Sequence, residues 1–123
     1  MTSSRFPRDV YDEGEEPDPR FTLANERTFL AWVRTSLAFL AGAVAVHAPA
    51  IDLDEWVKHA SSLSLLAVAA LAIAQAWLRW RRVERAVRTG QPLPGFGGPT
   101  ALAAALGALI IAAAIGIAVL ALR

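Results

Sequence analysis

Three stretches of the chain, residues 28–48, 60–78 and 100–122, are long, apolar and almost free of charge. Between them they make up about half of the 123 residues, and their one charged side chain is Arg34. Each is about the length of the roughly 20 residues needed to cross some 30 Å of hydrocarbon. A segment in lipid has to satisfy its own backbone hydrogen bonds, so helices are expected, and runs this long exclude the short alternating strands of a barrel. The expected fold is therefore all-α and integral to a membrane, with three transmembrane helices. A soluble domain, a disordered chain and a disulfide scaffold are excluded, the last because there is no cysteine. The first run is longer than a signal-peptide core and is preceded by acidic residues, so it is expected to be retained.

The near-neutral composition, twelve basic against eleven acidic residues, hides a strong segregation. Arg5, Arg8, Arg20 and Arg27 precede the first span, and Arg79, Arg81, Arg82, Arg85 and Arg88 follow the second. The opposite side has Lys58 and Arg123. Positive charge collects on the cytoplasmic side, which predicts a cytoplasmic N-terminus and an external C-terminus in a bacterial inner-membrane type of protein.

Residues 1–18 are rich in Asp and Glu and poor in large apolar groups, which predicts a disordered acidic cytoplasmic arm. Residues 19–123 form the transmembrane domain, with helices expected at about 19–48, 60–89 and 100–122. Asp18-Pro19 supplies an N-cap and a first-turn proline. A helix from Pro19 to His47 would be about 43 Å long and would extend beyond the hydrocarbon on the cytoplasmic side. The second helix also continues past its apolar run, to a C-terminal Gly90, with Trp77 and Trp80 at the membrane boundary. Residues 91–99 contain three prolines and are expected to be loop.

Arg20, Arg27 and Arg34 are seven apart and share one face of the first helix with Ala24, Ala31, Ala38 and Ala45. Phe29, Trp32, Phe39 and Leu40 lie on the other side, the side that suits lipid. The small, cationic face suits close packing or a cavity. Two explanations of the arginines stand side by side. They can anchor the helix against lipid phosphates, with Arg34 snorkelling or pairing with Glu26 or Glu84. They can instead face a bound or transported anion, since an arginine at mid-membrane costs about 2.5–3.5 kcal/mol and needs a reason to be there. Arg81, Arg85 and Arg88 lie on one face of the second helix, where Glu84 can pair with Arg88 or Arg81. Lipid contact explains them too. Were they to meet the first stripe, the two would form a basic vestibule suited to a multidentate phosphate ligand.

Thr100, Ala104, Ala108, Ala112 and Gly116 form a four-spaced small ladder, a close-packing surface. A three-helix protein this small seldom encloses a pore alone, so a homo-oligomer is expected. Gln75, deep in the second span, is expected to make an interhelical hydrogen bond. His47 and His59 have no companion at metal-ligand spacing, and no phosphate-loop, dinucleotide or HExxH motif is present. No catalytic residue, cofactor, metal or nucleic-acid partner is expected, and the chain is not expected to be an enzyme.

The segment Arg20-Phe21-Thr22-Leu23-Ala24-Asn25-Glu26-Arg27-Thr28-Phe29-Leu30-Ala31-Trp32-Val33-Arg34-Thr35 resembles the signature of a membrane family known as domain of unknown function 202, the YidH-like inner-membrane proteins. Leu78-Arg79-Trp80-Arg81 with Glu84, Ala86 and Arg88 is similar as well. The likeness runs from about Asp18 onward and implies three transmembrane helices, with no settled activity. Ala24-Asn25-Glu26-Arg27-Thr28-Phe29-Leu30 and Gly98-Pro99-Thr100 also resemble, more distantly, the small membrane subunit of the eukaryotic vacuolar transporter chaperone complex. There the membrane helices form a channel for polyphosphate made by a separate catalytic domain. That likeness implies Arg20 and Arg27 as pore-lining cations with Glu26 as ion-pair partner. Arg34 is shared with the first family and not with that subunit. The chain holds no polymerase domain, so synthesis is not expected of it.

The sequence supports two functions. One is a homo-oligomer whose first-helix stripe, Arg20, Arg27 and Arg34, with Arg81, Arg85 and Arg88, binds or conducts a phosphate-rich anion such as polyphosphate. The other is a structural or assembly subunit whose arginines set topology and hold anionic lipid or a partner protein.

Overall fold

The computed structural model describes residues 5–95 and 97–122, with the side chains of 97–99 left aside. The fold is all-helical among the described residues: α1 (Arg8–Tyr11), α2 (Pro19–Ala45), α3 (Glu55–Thr89) and α4 (Gly97–Ala121). The last three are each long and apolar enough to cross a membrane. Arg123, one of the two cations expected on the far side, lies outside the described residues, and so do the side chains of Gly98 and Pro99.

Asp18 caps α2 by accepting a 2.9 Å hydrogen bond from the Arg20 backbone N–H, and Pro19 occupies the first helical position. The helix ends at Ala45, three residues before the expected limit, in a turn with bonds from His47 N–H to the Val44 carbonyl and from Ala48 N–H to the Ala45 carbonyl. α3 begins at Glu55 rather than near residue 60, because a polar first turn outside the hydrocarbon is as helical as an apolar one. Its 35 residues extend about 52 Å, well beyond the bilayer core. Gly90 closes it at φ 68°, the left-handed C-terminal conformation that glycine adopts without strain. α4 starts at Gly97, so the loop expected over 91–99 is three residues shorter. Pro99 falls in the first turn, where no N–H is needed.

α3 is the central helix, and α1, α2 and α4 each pack on it. The α2 seam is formed by Thr22, Asn25, Phe29, Trp32, Ser36, Phe39, Ala43 and Val46, all buried or half-buried and alternately three and four residues apart. That is the spacing that keeps one stripe of a helix against a partner. α3 answers with small residues, Ser62, Ala69, Ala72 and Ala76, that let the backbones approach closely. Ser62 Oγ donates to the Ala43 carbonyl at 2.7 Å and Ser36 Oγ donates to the Ala69 carbonyl at 2.8 Å. The interhelical bond expected of Gln75 is not made among the described residues, and these two serines supply the cross-links. Trp32 and Phe39, expected toward lipid, pack instead on the core of Val68, Ala72 and Leu102 with Ala105 and Leu109. α4 thus meets α3 through Leu102, Ala105 and Leu109, and leaves Ala104, Ala108, Ala112 and Gly116 exposed.

Candidate functional site

The basic extension of α3 is not bare. Arg81, Arg85 and Arg88 stand at offsets of zero, four and seven along one face, and Asp9, Glu13 and Glu16 stand at the same offsets in the N-terminal arm. The two series pair in parallel. The Asp9 carboxylate binds Arg81 and lies 3.2 Å from Arg85 Nη2, which also donates to the Asp9 backbone carbonyl at 2.8 Å. Glu13 Oε2 lies 3.2 Å from Arg85 Nε, and Arg88 Nη2 reaches both Glu16 oxygens at 3.3 Å. The arm is therefore laid along α3 from residue 5 onward, in place of the disorder expected of its composition. Three of its acids, Asp9, Glu13 and Glu16, find their partners on α3.

Aromatic contacts hold the arm where α3 leaves the apolar zone. Phe6 stacks on Trp77, Trp77 stacks on Trp80, and Tyr11 leans on Trp80, with centroids 5.4–6.3 Å apart. Two guanidinium groups also lie over the Tyr11 ring, Arg5 at 4.8 Å and Arg88 at 4.7 Å from its centre, a doubled cation–π contact. Arg5 returns to Glu16 through two bonds of 2.6 and 3.1 Å and closes the arm on itself. That pair holds the Glu16 carboxyl below its ordinary range: the Arg5 hydrogen bond is the main cause, partial desolvation opposes it, and the Arg88 charge assists. The Glu15 N–H bonds the Arg88 carbonyl at 3.0 Å. Gly14 lies so close to the same carbonyl, at φ 65°, that a Cβ there would be 2.1 Å from the oxygen.

Beneath the arm is a buried polar knot between α2 and α3. Glu84 is only 1% exposed. Thr22 Oγ1 donates to Glu84 Oε1 at 3.0 Å, and Asn25 Nδ2 faces both Glu84 Oε2 at 3.3 Å and the Trp80 carbonyl at 3.1 Å. Arg88 Nε stands 3.5 Å from Glu84 Oε1, so Arg88 joins the knot to the arm. Of the two acids expected as ion-pair partners, Glu84 is the one that is paired. Glu26 is exposed and makes no ion pair among the described residues.

Arg20, Arg27 and Arg34 lie elsewhere. Each precedes a seam residue, Thr22, Phe29 or Ser36, by two positions, which on a helix of 3.6 residues per turn puts it on the side opposite α3. All three are exposed, together with Ala24, Ala31, Ala38 and Ala45. Arg20 lies 3.9 Å from Asp18, and Arg27 and Arg34 have no acidic partner among the described residues. The two basic groups therefore do not meet, and the vestibule that their union would make is not formed among the described residues. The acidic companions of α3 and the knot around Asn25 went unread in the sequence, although the shared offsets of Asp9, Glu13, Glu16 and Arg81, Arg85, Arg88 were visible there. His47 and His59 are also brought together, edge to face at 5.5 Å, at the other end of the molecule.

The family described as a domain of unknown function (DUF202) matches residues 20–86, which hold the seam of α2, the knot, and Arg81 and Arg85. Uncharacterized protein Rv2272 of Mycobacterium tuberculosis is 45% identical over 92 residues, 74% of this chain and 75% of that protein. Inner membrane protein YidH of Escherichia coli K12 is 46% identical over 82 residues, 66% of this chain and 71% of its own length. No solved structure matches the chain. With the matched segment covering more than half of the sequence and three helices able to span a bilayer, the chain belongs to the DUF202 family and is a YidH-like inner-membrane protein.

Proposed function

We propose that this protein is a non-enzymatic homo-oligomer, its arm end in the cytoplasm, whose first-helix arginines bind or conduct a phosphate-rich anion. One observation carries the proposal. Arg27 and Arg34 lie on the uncovered face of α2, in line with Arg20 and among alanines, with no carboxylate to neutralise them among the described residues. A guanidinium inside an apolar run is costly unless something answers its charge. Planar forks repeated every two turns of helix suit a ligand that offers several phosphate groups, and the alanines between them allow a second subunit to come close. Phosphate-rich anions are also what the distant resemblance to the vacuolar transporter chaperone subunit implies for Arg20 and Arg27.

The alternative is a structural or assembly subunit in which the same arginines hold lipid phosphates or a partner protein. The exposure of Arg20 at the end of the span favours it, since headgroups gather there. The double variant Arg27→Ala/Arg34→Ala in reconstituted protein separates the two. Loss of polyphosphate binding or flux, with expression and topology kept, supports the anion function; unchanged binding leaves the structural one. A mass in detergent equal to one chain would remove the pore, and an active phosphatase fused at the C-terminus would place that end outside.

A further inference from the structure

We propose that the Arg81–Arg85–Arg88 face of α3 is a second binding site for phosphate-bearing anions, and that the N-terminal arm occupies it as a built-in competitor until such an anion displaces it. This rests on the reading that phosphate-bearing anions reach this end of the protein.

The arm presents its anions as a ligand would. Asp9, Glu13 and Glu16 repeat the offsets of the three arginines, and each carboxylate meets a guanidinium at its own level. The ion pairs of the arm with Arg81 and Arg85 are of a kind that yields easily. Side chains of Asp9, Glu13, Glu16, Arg81 and Arg85 remain a third or more exposed, and ion pairs in that setting are weak and screened by salt. Phe6, which leads the arm, is itself mostly exposed on Trp77. A phosphate offers more charge and more acceptor oxygens to the same guanidinium forks than a carboxylate does.

The exchange has a place to begin. An open groove of about 620 Å³ runs beside Arg88, bounded by Gly14, Glu16, Pro17, Thr89 and Gly90, where an anion can reach the Arg88–Glu16 pair before the rest of the arm has moved. Arg88 stays tied to Glu84 on its other side, so the site keeps its shape when the arm leaves. The arm also leads directly through Asp18 into α2. Its release frees the arginines of α3 at the same end of the molecule as Arg20, so occupancy of one basic group bears on access to the other.

The test uses the full chain in phosphatidylcholine nanodiscs, with inorganic tripolyphosphate as probe. Because the chain has no cysteine, Arg8→Cys accepts a single bimane label that Trp77 and Trp80 quench while the arm is docked. Tripolyphosphate is expected to unquench it. The variant Asp9→Asn/Glu13→Gln/Glu16→Gln is expected to be unquenched from the start and to bind the probe about fivefold more tightly, as for an arm docked about four-fifths of the time. Arg81→Gln/Arg85→Gln is expected to free the label with no gain in affinity. The same label in nanodiscs containing phosphatidylglycerol, without tripolyphosphate, reports whether a lipid headgroup serves as the anion. Equal affinity in the wild type and the acid-to-amide variant, with a label quenched throughout in both kinds of nanodisc, overturns the competitor and leaves the first-helix function standing. No binding by any variant overturns both.

Discussion

Asn25 on α2 and Glu84 on α3 face each other across the helix interface, with the amide nitrogen 3.3 Å from the buried carboxylate and 3.1 Å from the Trp80 carbonyl. Asn25 lies at a seam position, and its role here is to close the two long helices where they leave the apolar zone. Replacing it strands an acceptor in a place with little water, at a cost of about 1–3 kcal/mol. Asn25→Ala is expected to lower the unfolding free energy in detergent by that amount, seen as a lower midpoint, and Asn25→Asp by more, because it sets a second carboxylate against Glu84. An Asn25→Ala protein with an unchanged midpoint would show that the contact does not hold the helices.

Two glycines with almost the same φ are expected to respond differently. At Gly14 a methyl group would run into the Arg88 backbone carbonyl, and backbone cannot move aside as a side chain does. Gly14→Ala should therefore lift the arm from α3 and expose its first residues to protease. At Gly90 nothing lies within 4 Å, so Gly90→Ala meets only the left-handed strain, about 1–2 kcal/mol. Limited proteolysis of the two variants in parallel checks this: early cleavage around residues 5–16 is expected in the first and not in the second.

How far the sequence was legible depends on whether the cause was local. Asp18-Pro19 and Gly90 mark helix ends by effects within one turn, and both ends fell where they were expected. The start of α3 was missed because apolar length measures the bilayer and not the helix, and Glu55 and Lys58 are helical without being apolar. The arm was missed for a different reason. Its acids read as disorder by composition, while their partners lie some seventy residues away and become partners only once α3 is seen to run past the membrane. The lipid-facing side of α2 was misplaced because the arginine spacing was the more conspicuous of two seven-residue patterns. The other, from Thr22 through Val46, is the one that packs, with Trp32 and Phe39 inside.

Acid should loosen the arm. The Glu16 carboxyl is held below its ordinary value by Arg5 first, within the arm, and by the Arg88 charge, which it meets only when docked, so the docked arm binds the proton less readily than the undocked one does. A depressed carboxylate contributes to docking that is complete above the ordinary value, about 4.3, and disappears as pH falls through the lowered one. The arm is therefore expected to be docked at pH 7 and to detach in the range below about pH 4.5. Glu16→Gln should flatten that part of the transition. The quenched label at position 8, followed from pH 7 to pH 3, measures both, and a transition of equal depth in Glu16→Gln would show that Glu16 does not govern the docking.

The packing between the long helices should tolerate lost hydrogen bonds better than added volume. Ser62→Ala removes a donor from the Ala43 carbonyl, and membrane-embedded bonds of this kind average about 0.6 kcal/mol, so a small change in stability is expected. Ala72 is fully buried where Val68 and Leu102 meet under Trp32 and Phe39. Ala72→Leu has no space to enter and is expected to cost about 1–3 kcal/mol. Because the core that Ala72 shares with Leu102 of α4 is also packed by Trp32 and Phe39 of α2, the added volume should loosen both α2 and α4 from α3 at this level while leaving the docked arm intact. Unfolding in mixed micelles, read together with a crosslink between α3 and α4, distinguishes this from general destabilisation. Loss of the arm contact in the same variant would mean that this core supports the basic end of the molecule as well.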